Sequence, residues 1–422
     1  MPTETFSRKI TKTDFGTVIV GASHAGIQCA STLRAKGYDA PITVLSTETQ
    51  LPYHRPPLSK SYMAGATSPE NLALRGENFY DTENITLRLG VTAEAIMREA
   101  HQVKLSTGEA LNYRTLVIAT GTRPRPWPGG PFPRGVHTLR TFADAETLRH
   151  KVDTTPGPIV IIGGGYVGLE LAATLHKNKH RHVTIIEAAP RILARAASPH
   201  LSKLLHRHHS IAGVQIRVGV GVESFESFES TNNTIAGVRL TDGTVLEAAF
   251  IIIGIGVIPN QELAANAGLS CSNGIEVNTF CQTEDPDIFA IGDCCLFPIA
   301  NTDTKVRLEC VQNAHDQART AASAIIGNRQ PHQAVPWFWS DQLGLKLQTA
   351  GLVPHEGTSI VRGAPENGRG AFFHFDTLGK LAAIETVNQP ALHMQARKLL
   401  AAAVSLTEEQ VADPMFNPMH FL

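Results

Sequence analysis

Cysteine is scarce and without pattern, charge is balanced, and no long apolar run occurs in this chain of 422 residues. The six cysteines, Cys29, Cys271, Cys281, Cys294, Cys295 and Cys310, form no C-x-x-C or C-x-x-x-x-C pair. That spacing excludes a sequence-local dithiol relay and a four-cysteine iron–sulfur cluster. Cys294 and Cys295 are neighbours, and because a bridge between neighbours is strained, they read as two buried thiols. A net charge of -1 and a pI near 7.0 remove any general affinity for nucleic acid or an acidic membrane. Met1 to Asp14 is polar and mixed in charge, unlike a signal peptide, and no apolar stretch reaches the ~18 residues of a membrane span. The expectation is a cytoplasmic protein with a loose N-terminal tail.

Against that background one stretch stands out: Ile159-Val160-Ile161-Ile162-Gly163-Gly164-Gly165-Tyr166-Val167-Gly168-Leu169-Glu170. An apolar β-branched run meets a glycine-dense turn, and the turn opens into residues with helical apolar spacing. Gly163, Gly165 and Gly168 fit G-x-G-x-x-G, in which the first glycine allows the tight turn, the second lets amides approach a pyrophosphate, and the third lets helix pack on strand. The helix N-terminus directs free N–H groups at the phosphates. A second strand, His182 to Ile186, ends in Glu187, about 20 residues beyond Gly168, where a carboxylate accepts hydrogen bonds from ribose hydroxyls.

The pattern occurs twice. Thr17 to Val20 precedes Gly21-Ala22-Ser23-His24-Ala25-Gly26, a helical run from Ile27 to Leu33, and a strand Ile42 to Leu45 leading to Glu48. Ser23 replaces the second glycine, and its small side chain leaves the phosphate approach open. Two such units, offset by about 140 residues, point to an enzyme that brings two dinucleotides together.

The length suggests two or three domains. Asn84 to Leu89, Val103 to Leu105 and Leu116 to Ile118 read as strands. Ala119-Thr120-Gly121-Thr122-Arg123-Pro124 is a small-residue turn running into a proline-rich linker, a domain crossing. Residues 126–257 form the second dinucleotide domain, with helices over Thr141 to Val152 and Leu201 to His209. Gly254-Ile255-Gly256 closes it as the counterpart of the Ala119 turn. His206, His208 and His209 raise the possibility of metal ligation, but a polar surface helix accounts for them as well. The chain then returns to the first domain. Asp287 to Asp293 is a buried strand ending in Gly292-Asp293, whose carboxylate binds a ribityl hydroxyl or caps the next turn. A helix spans about Val311 to Ile326. Pro336-Trp337-Phe338-Trp339-Ser340-Asp341-Gln342 opens a third, α+β domain over residues 333–422, with antiparallel strands and two final helices. Its aromatic cluster serves as core or walls a planar ring. In Leu51-Pro52-Tyr53-His54-Arg55-Pro56-Pro57-Leu58-Ser59-Lys60, Ser59 is a candidate helix cap, and Arg55 and Lys60 are cations beside the first pyrophosphate or a solvated basic loop.

With the Arg55 to Lys60 and Trp337 to Gln342 stretches as its specific motifs, and the two glycine motifs, Ala119 to Gly121, Gly292-Asp293 and Arg307-Leu308-Glu309 beside them, the chain resembles the FAD-dependent, NADH-linked ferredoxin reductases of bacterial oxygenase systems. The resemblance covers residues 16 to about 390 and implies an α/β disulfide-reductase-like flavoprotein fold. It has two Rossmann-like domains, a discontinuous FAD domain (1–125 and 258–332) and an inserted NADH domain (126–257), with the α+β domain behind. It implies that Gly21, Ser23, His24, Ala25, Gly26, Glu48, Arg55, Lys60, Ala119, Thr120, Gly121, Arg123, Gly292 and Asp293 hold FAD. Gly163, Gly165, Tyr166, Val167, Gly168, Glu187, Arg195 and Gly256 would hold NADH. Glu170 and Glu309 would flank the nicotinamide, Trp339 would lie beside the flavin, and Lys60 would favour the anionic reduced ring.

Glu170 also has a plain alternative: an acid in a first helical turn is stabilised by the helix dipole. Glu187 implies NADH over NADPH, with Arg191 and Arg195 close enough in sequence to weaken that preference. The implied partner is a small iron–sulfur ferredoxin, usually acidic, with Lys305 and Arg307 as candidate docking cations; the implied metal set is none. An NADH oxidase or disulfide reductase needs a redox cysteine near the flavin, and none stands between Cys29 and Cys271. A binding flavoprotein of the apoptosis-inducing-factor type needs a targeting segment and a basic patch, and neither is visible.

Overall fold

A computed structural model describes residues 15–227, 235–299 and 304–417 of the chain. The tail expected over Met1 to Asp14 lies outside the described residues. The chain divides into two compact units, one of Met1–His54, Ala73–Arg123 and Ile258–Ala334, the other of Arg55–Leu72, Pro124–Val257 and Val335–Leu422.

In the first unit, Thr17–Val20 is a strand buried along its whole length, as a β-branched run in a covered parallel sheet must be. It is flanked by Ile42–Leu45 and Thr115–Ile118, and the five-stranded sheet runs Ile288–Ala290, Thr115–Ile118, Thr17–Val20, Ile42–Leu45, Ile85–Arg88, all parallel. On one face the helix His24–Ala35 packs beside the helix Val311–Ile325, joining Ile27, Cys29 and Leu33 to Ala314, Ala318 and Ala321. The thiol of Cys310 caps the second of these helices, accepting from Asn313 N. The other face buries Tyr113, Leu105, Cys294 and Cys295.

The second unit repeats the plan with the order Gln215–Val218, Val183–Glu187, Ile159–Ile162, Phe250–Ile253, Val136–His137, again all parallel. Thr141 and Asp144 form a reciprocal capping box on the helix Phe142–Thr154. A five-stranded antiparallel sheet follows, in the order Trp337–Gln342, Leu345–Gly351, Leu381–Val387, Arg369–Phe375, Thr358–Ala364. One of its faces joins the core of the parallel sheet, with Leu345, Leu347, Phe372 and Val387 among Leu171, Leu175 and Leu205. The other face packs on the helix Pro390–Ala401 through Phe373, Ile384, Ala396 and Leu399.

Residues 55–72, assigned to the first domain on sequence, find their packing partners in the second unit. Met63 is fully buried in the core that contains Leu148 and Leu175, and the Tyr62 ring lies 5.3 Å from Phe142. Two further expectations change. Ser59 caps no helix: it ends a 3-10 turn, Pro56–Ser59, and the next short helix, Ser61–Ala64, starts beyond Lys60 without a side-chain cap. The histidine-rich helix, Pro199–Ala212, is not a plain surface helix, because His209 is fully buried against the antiparallel sheet.

Burial pushes the imidazoles of His209 and His393 down from 6.5 to about 4. Both are therefore neutral in the fold, while the unfolded chain takes up their protons near 6.5. Between about 4 and 6.5 the unfolded state binds more protons, so stability is lost as pH falls through that window. Urea unfolding should give a midpoint that drops from pH 7.5 to pH 5, by ~1–3 kcal/mol per histidine. His393→Phe should flatten the dependence, since both His393 nitrogens lack a hydrogen-bond partner; an unchanged slope would disprove the assignment.

Candidate functional site

Each parallel sheet changes connection direction at its central strand, and the glycine turns sit at that edge, where open α/β sheets bind ligands. At the end of Ile159–Ile162, Gly163 has φ +112, and a Cβ there would lie 2.3 Å from Gly254 O. A Cβ on Gly168 would lie 2.4 Å from Gly163 O, so helix and turn touch backbone to backbone. Gly165 differs: its φ is -79, and a Cβ would meet nothing within 4 Å. Its outer side is open, and no side chain caps the helix Tyr166–Lys179 that starts there.

The first unit repeats this with Gly21, φ +114, against Ala119 O, and Gly26 against Gly21 O. Ser23 caps the helix position in extended conformation, φ -107, with no side-chain cap bond. That conformation is why a non-glycine residue is tolerated there. The second unit thus presents an open backbone cradle, and in both units the helix starts without a side-chain cap bond, leaving amide donors that fit a dinucleotide pyrophosphate.

The acids that end the second strands are held in place. Glu187 accepts from Gly164 N at 2.7 Å and Ala189 N at 2.8 Å; Glu48 accepts from the Tyr53 hydroxyl at 2.6 Å. Arg191 is committed to the carbonyls of Leu193, Ala194 and Ala197, whereas Arg195 is exposed, with Nη2 3.1 Å from where a Gly256 Cβ would be.

In the first unit, Thr120 and Asn260 exchange hydrogen bonds at 2.6 and 2.9 Å, fixing the Ala119 turn. Arg123 is paired with Glu262 and Asn260. Asp293 lies on a 3-10 turn, Gly292–Cys294, and accepts from Thr122 at 3.5 Å. His24 is buried, its ring 5.5 Å from His54 and 5.9 Å from His315. Burial lowers both partners' pKa values, with nearby arginines adding to the effect. Arg307 is 9% exposed, pairs with Glu309 at 2.8 Å and donates to Asp293 O, and Lys305 pairs with Glu276 at 2.5 Å. These are the two cations that the sequence offered as docking candidates, and each is engaged in an ion pair.

The second unit gathers the remaining residues around one carboxylate. Glu170, 5% exposed and lying beyond the first turn of its helix, receives Lys60 Nζ at 2.5 Å and the Ser59 hydroxyl at 2.8 Å on Oε2, and the Ser340 hydroxyl at 2.5 Å on Oε1. The helix dipole alone does not account for it. Arg55 donates to the Arg140 carbonyl at 2.8 Å. The Tyr166 ring lies 4.5 Å from that of Phe338 in a tilted pair and its side chain hydrogen-bonds with Thr349, and burial raises its pKa. Trp339 is half-buried with its ring 5.6 Å from Trp337.

Sequence reasoning missed Ser59 as a partner of Glu170, and although it named Ser340 and Gln342 in a motif and His209 on a polar helix, it assigned none of the three its actual partner. The alternation in Trp-Phe-Trp-Ser-Asp-Gln carried a trace of them, since period two puts Phe338, Ser340 and Gln342 on one face of the strand.

Residues 15–318 match the pyridine nucleotide-disulphide oxidoreductase family and residues 337–421 the reductase C-terminal family. The chain is 42% identical to rhodocoxin reductase of Rhodococcus erythropolis, over 95% of this chain and 92% of that one. It is 40% identical to putidaredoxin reductase of Pseudomonas putida, over 94% of each chain. Among solved structures, the reductase of the covalent putidaredoxin reductase–putidaredoxin complex superposes with a TM-score of 0.90 at 40% identity, covering 95% of this chain and 96% of that chain.

The contrast between Gly163 and Gly165 separates folding from ligand approach. Gly163→Ala should unfold the turn. Gly165→Val should leave the thermal midpoint within about 1 kcal/mol of native stability yet weaken NADH binding by about tenfold or more, measured by titration. Unweakened binding in a folded Gly165→Val protein would rule out the cradle.

Proposed function

Because the chain belongs to the pyridine nucleotide-disulphide oxidoreductase family and, within it, to the ferredoxin reductases, we propose that it carries electrons from NADH through FAD to a small [2Fe–2S] ferredoxin of an oxygenase system. The observation that carries this reading is the duplicated turn: one chain has two strand–turn–helix units of the same build, each with its first and last glycines packed backbone to backbone and its helix starting without a side-chain cap bond. One dinucleotide is then the resident FAD and the other the NADH that reduces it.

On this reading the first cradle, with Gly21, Ser23, Gly26, Glu48 and the Ala119 to Gly121 turn, holds the ADP half of FAD, and Asp293 holds its ribityl chain. The second cradle, with Gly163, Gly165, Gly168 and Glu187, holds NADH. Hydride acceptance and one-electron release are the chemistry that FAD would supply when bound there. The protein's part is orientation and charge. Amides and helix ends bind the phosphates, and the pair of partly exposed Lys60 and buried Glu170 sets a fixed charge pattern for the reacting rings.

No thiol takes part. Burial raises the pKa of all six cysteines, to about 11 for Cys271 and Cys310 and to about 12 for Cys29, so thiolate is scarce at neutral pH. This argues against an NADH oxidase or disulfide reductase. The described residues contain no helix long and apolar enough to cross a membrane. Free cysteines and a soluble nucleotide substrate support a cytoplasmic site of action.

The purified protein should be yellow and bleach when NADH is added anaerobically. Cytochrome c reduction should be slow until a [2Fe–2S] ferredoxin is added. A colourless protein, or one that stays oxidised with NADH, would refute the proposal. Glu187→Ala should raise KM for NADH by about tenfold with little change in kcat, the loss of one charge-assisted hydrogen-bond acceptor. It should also let Arg195 accept NADPH. If the native protein already uses both nucleotides with equal kcat/KM, Glu187 is not the discriminating residue.

A further inference from the structure

Behind Glu170 the second unit holds a buried row of hydrogen bonds in which every donor faces the same way. Gln342 Nε2 donates to Ser340 Oγ at 2.9 Å, and Ser340 Oγ donates to Glu170 Oε1 at 2.5 Å. His209 Nε2 lies 2.8 Å from Gln342 Oε1. That oxygen only accepts, so the imidazole must carry its proton on Nε2; His209 Nδ1 has no partner. Ser340, Gln342 and His209 are 0, 2 and 0% exposed, so bulk water does not compete for these groups.

The direction of the row is not arbitrary. The His209 proton fixes which way the Gln342 amide lies. The amide NH2 then occupies the serine lone pair, and the serine proton is left for Glu170. With the imidazole proton on the other nitrogen, the amide would be free to flip, its oxygen would face Ser340, and the serine would donate backwards. Glu170 Oε1 would lose its donor. The carboxylate would then be held only through Oε2, the oxygen that also grips Lys60.

We propose that Ser340, Gln342 and His209 are positioning residues for hydride transfer. They orient the Glu170 carboxylate, and through it the Lys60 ammonium, by hydrogen bonds that run behind Glu170. This rests on the reading of Glu170 and Lys60 as residues of the reaction site.

Two measurements on the FAD-loaded protein test the proposal. With 15N-labelled histidine, NMR should find His209 protonated on Nε2 and bare on Nδ1, with no change between about pH 6 and 8; the Nδ1–H tautomer would overturn the row. Stopped-flow reduction by NADH should slow about tenfold in Ser340→Ala, in the limiting rate more than in KM, and Ser340→Thr should restore it. His209→Phe, which cuts the row at its far end without touching Glu170, should move the rate in the same direction and serves if Ser340→Ala does not fold.

In a Glu170→Gln background the Ser340→Ala change should have no further effect. A further slowing there would show that Ser340 acts by packing, and the proposal would fall. A Glu170→Gln protein that is reduced at the native rate would overturn the underlying placement of Glu170, whatever the histidine spectrum shows.

Discussion

A carboxylate taken out of water must be paired and hydrogen-bonded or it is expelled, and in the second unit that requirement falls on Glu170. It stands on the helix Tyr166–Lys179, and its partners come from two other parts of the chain: residues 59 and 60, and the strand Trp337–Gln342. Satisfying one buried charge therefore fixes the proline-rich loop, the nucleotide-type helix and the first strand of the antiparallel sheet relative to one another. An apolar residue at 170 would pack without asking any of these segments to meet.

The meeting of helix and strand works because two repeats agree. Tyr166 and Glu170 are four residues apart, about 6 Å along a helix. Phe338 and Ser340 are two residues apart, close to 6.6 Å along a strand. Ring meets ring at 4.5 Å and hydroxyl meets carboxylate at 2.5 Å. The opposite strand face carries Trp337 and Trp339, with Arg397 over Trp337 at 4.8 Å. A second buried carboxylate ties the same sheet to the helix Pro199–Ala212. Glu385 accepts from Ser198 N and Oγ at that helix's N-terminus and lies 3.0 Å from His374 Nε2.

The cysteines have been absorbed by structure in a fold whose family name refers to disulfide chemistry. Cys310 caps a helix; Cys294 and Cys295 are buried, donating to Ile118 O, Ile291 O and Gln317 Oε1. On the proposed reading, with sulfur out of the reaction, rate depends on how two dinucleotides are held and on the charges fixed near them. Hence orientation carries more weight here than any nucleophile.

The amino-acid sequence determined what depends on neighbours in the chain. The two glycine turns with their strands and helices, the acids Glu48 and Glu187 at strand ends, and the alternation of the final sheet were legible because each is set within a few residues by backbone sterics, capping or side-chain period. Only the tertiary structure decided where Ser59, Ser340 and His209 belong. Ser59 looked like a helix cap and His209 like part of a polar surface helix. Their actual partners lie far away: Ser59 and Ser340 reach Glu170 across 111 and 170 residues, and His209 reaches Gln342 across 133. Periodicity shows at most which face of a strand a hydroxyl occupies, as it does for Ser340, and never which distant group it will meet. The direction of such a side chain is chosen only when burial removes water and the nearest acceptor is whatever the fold has brought there.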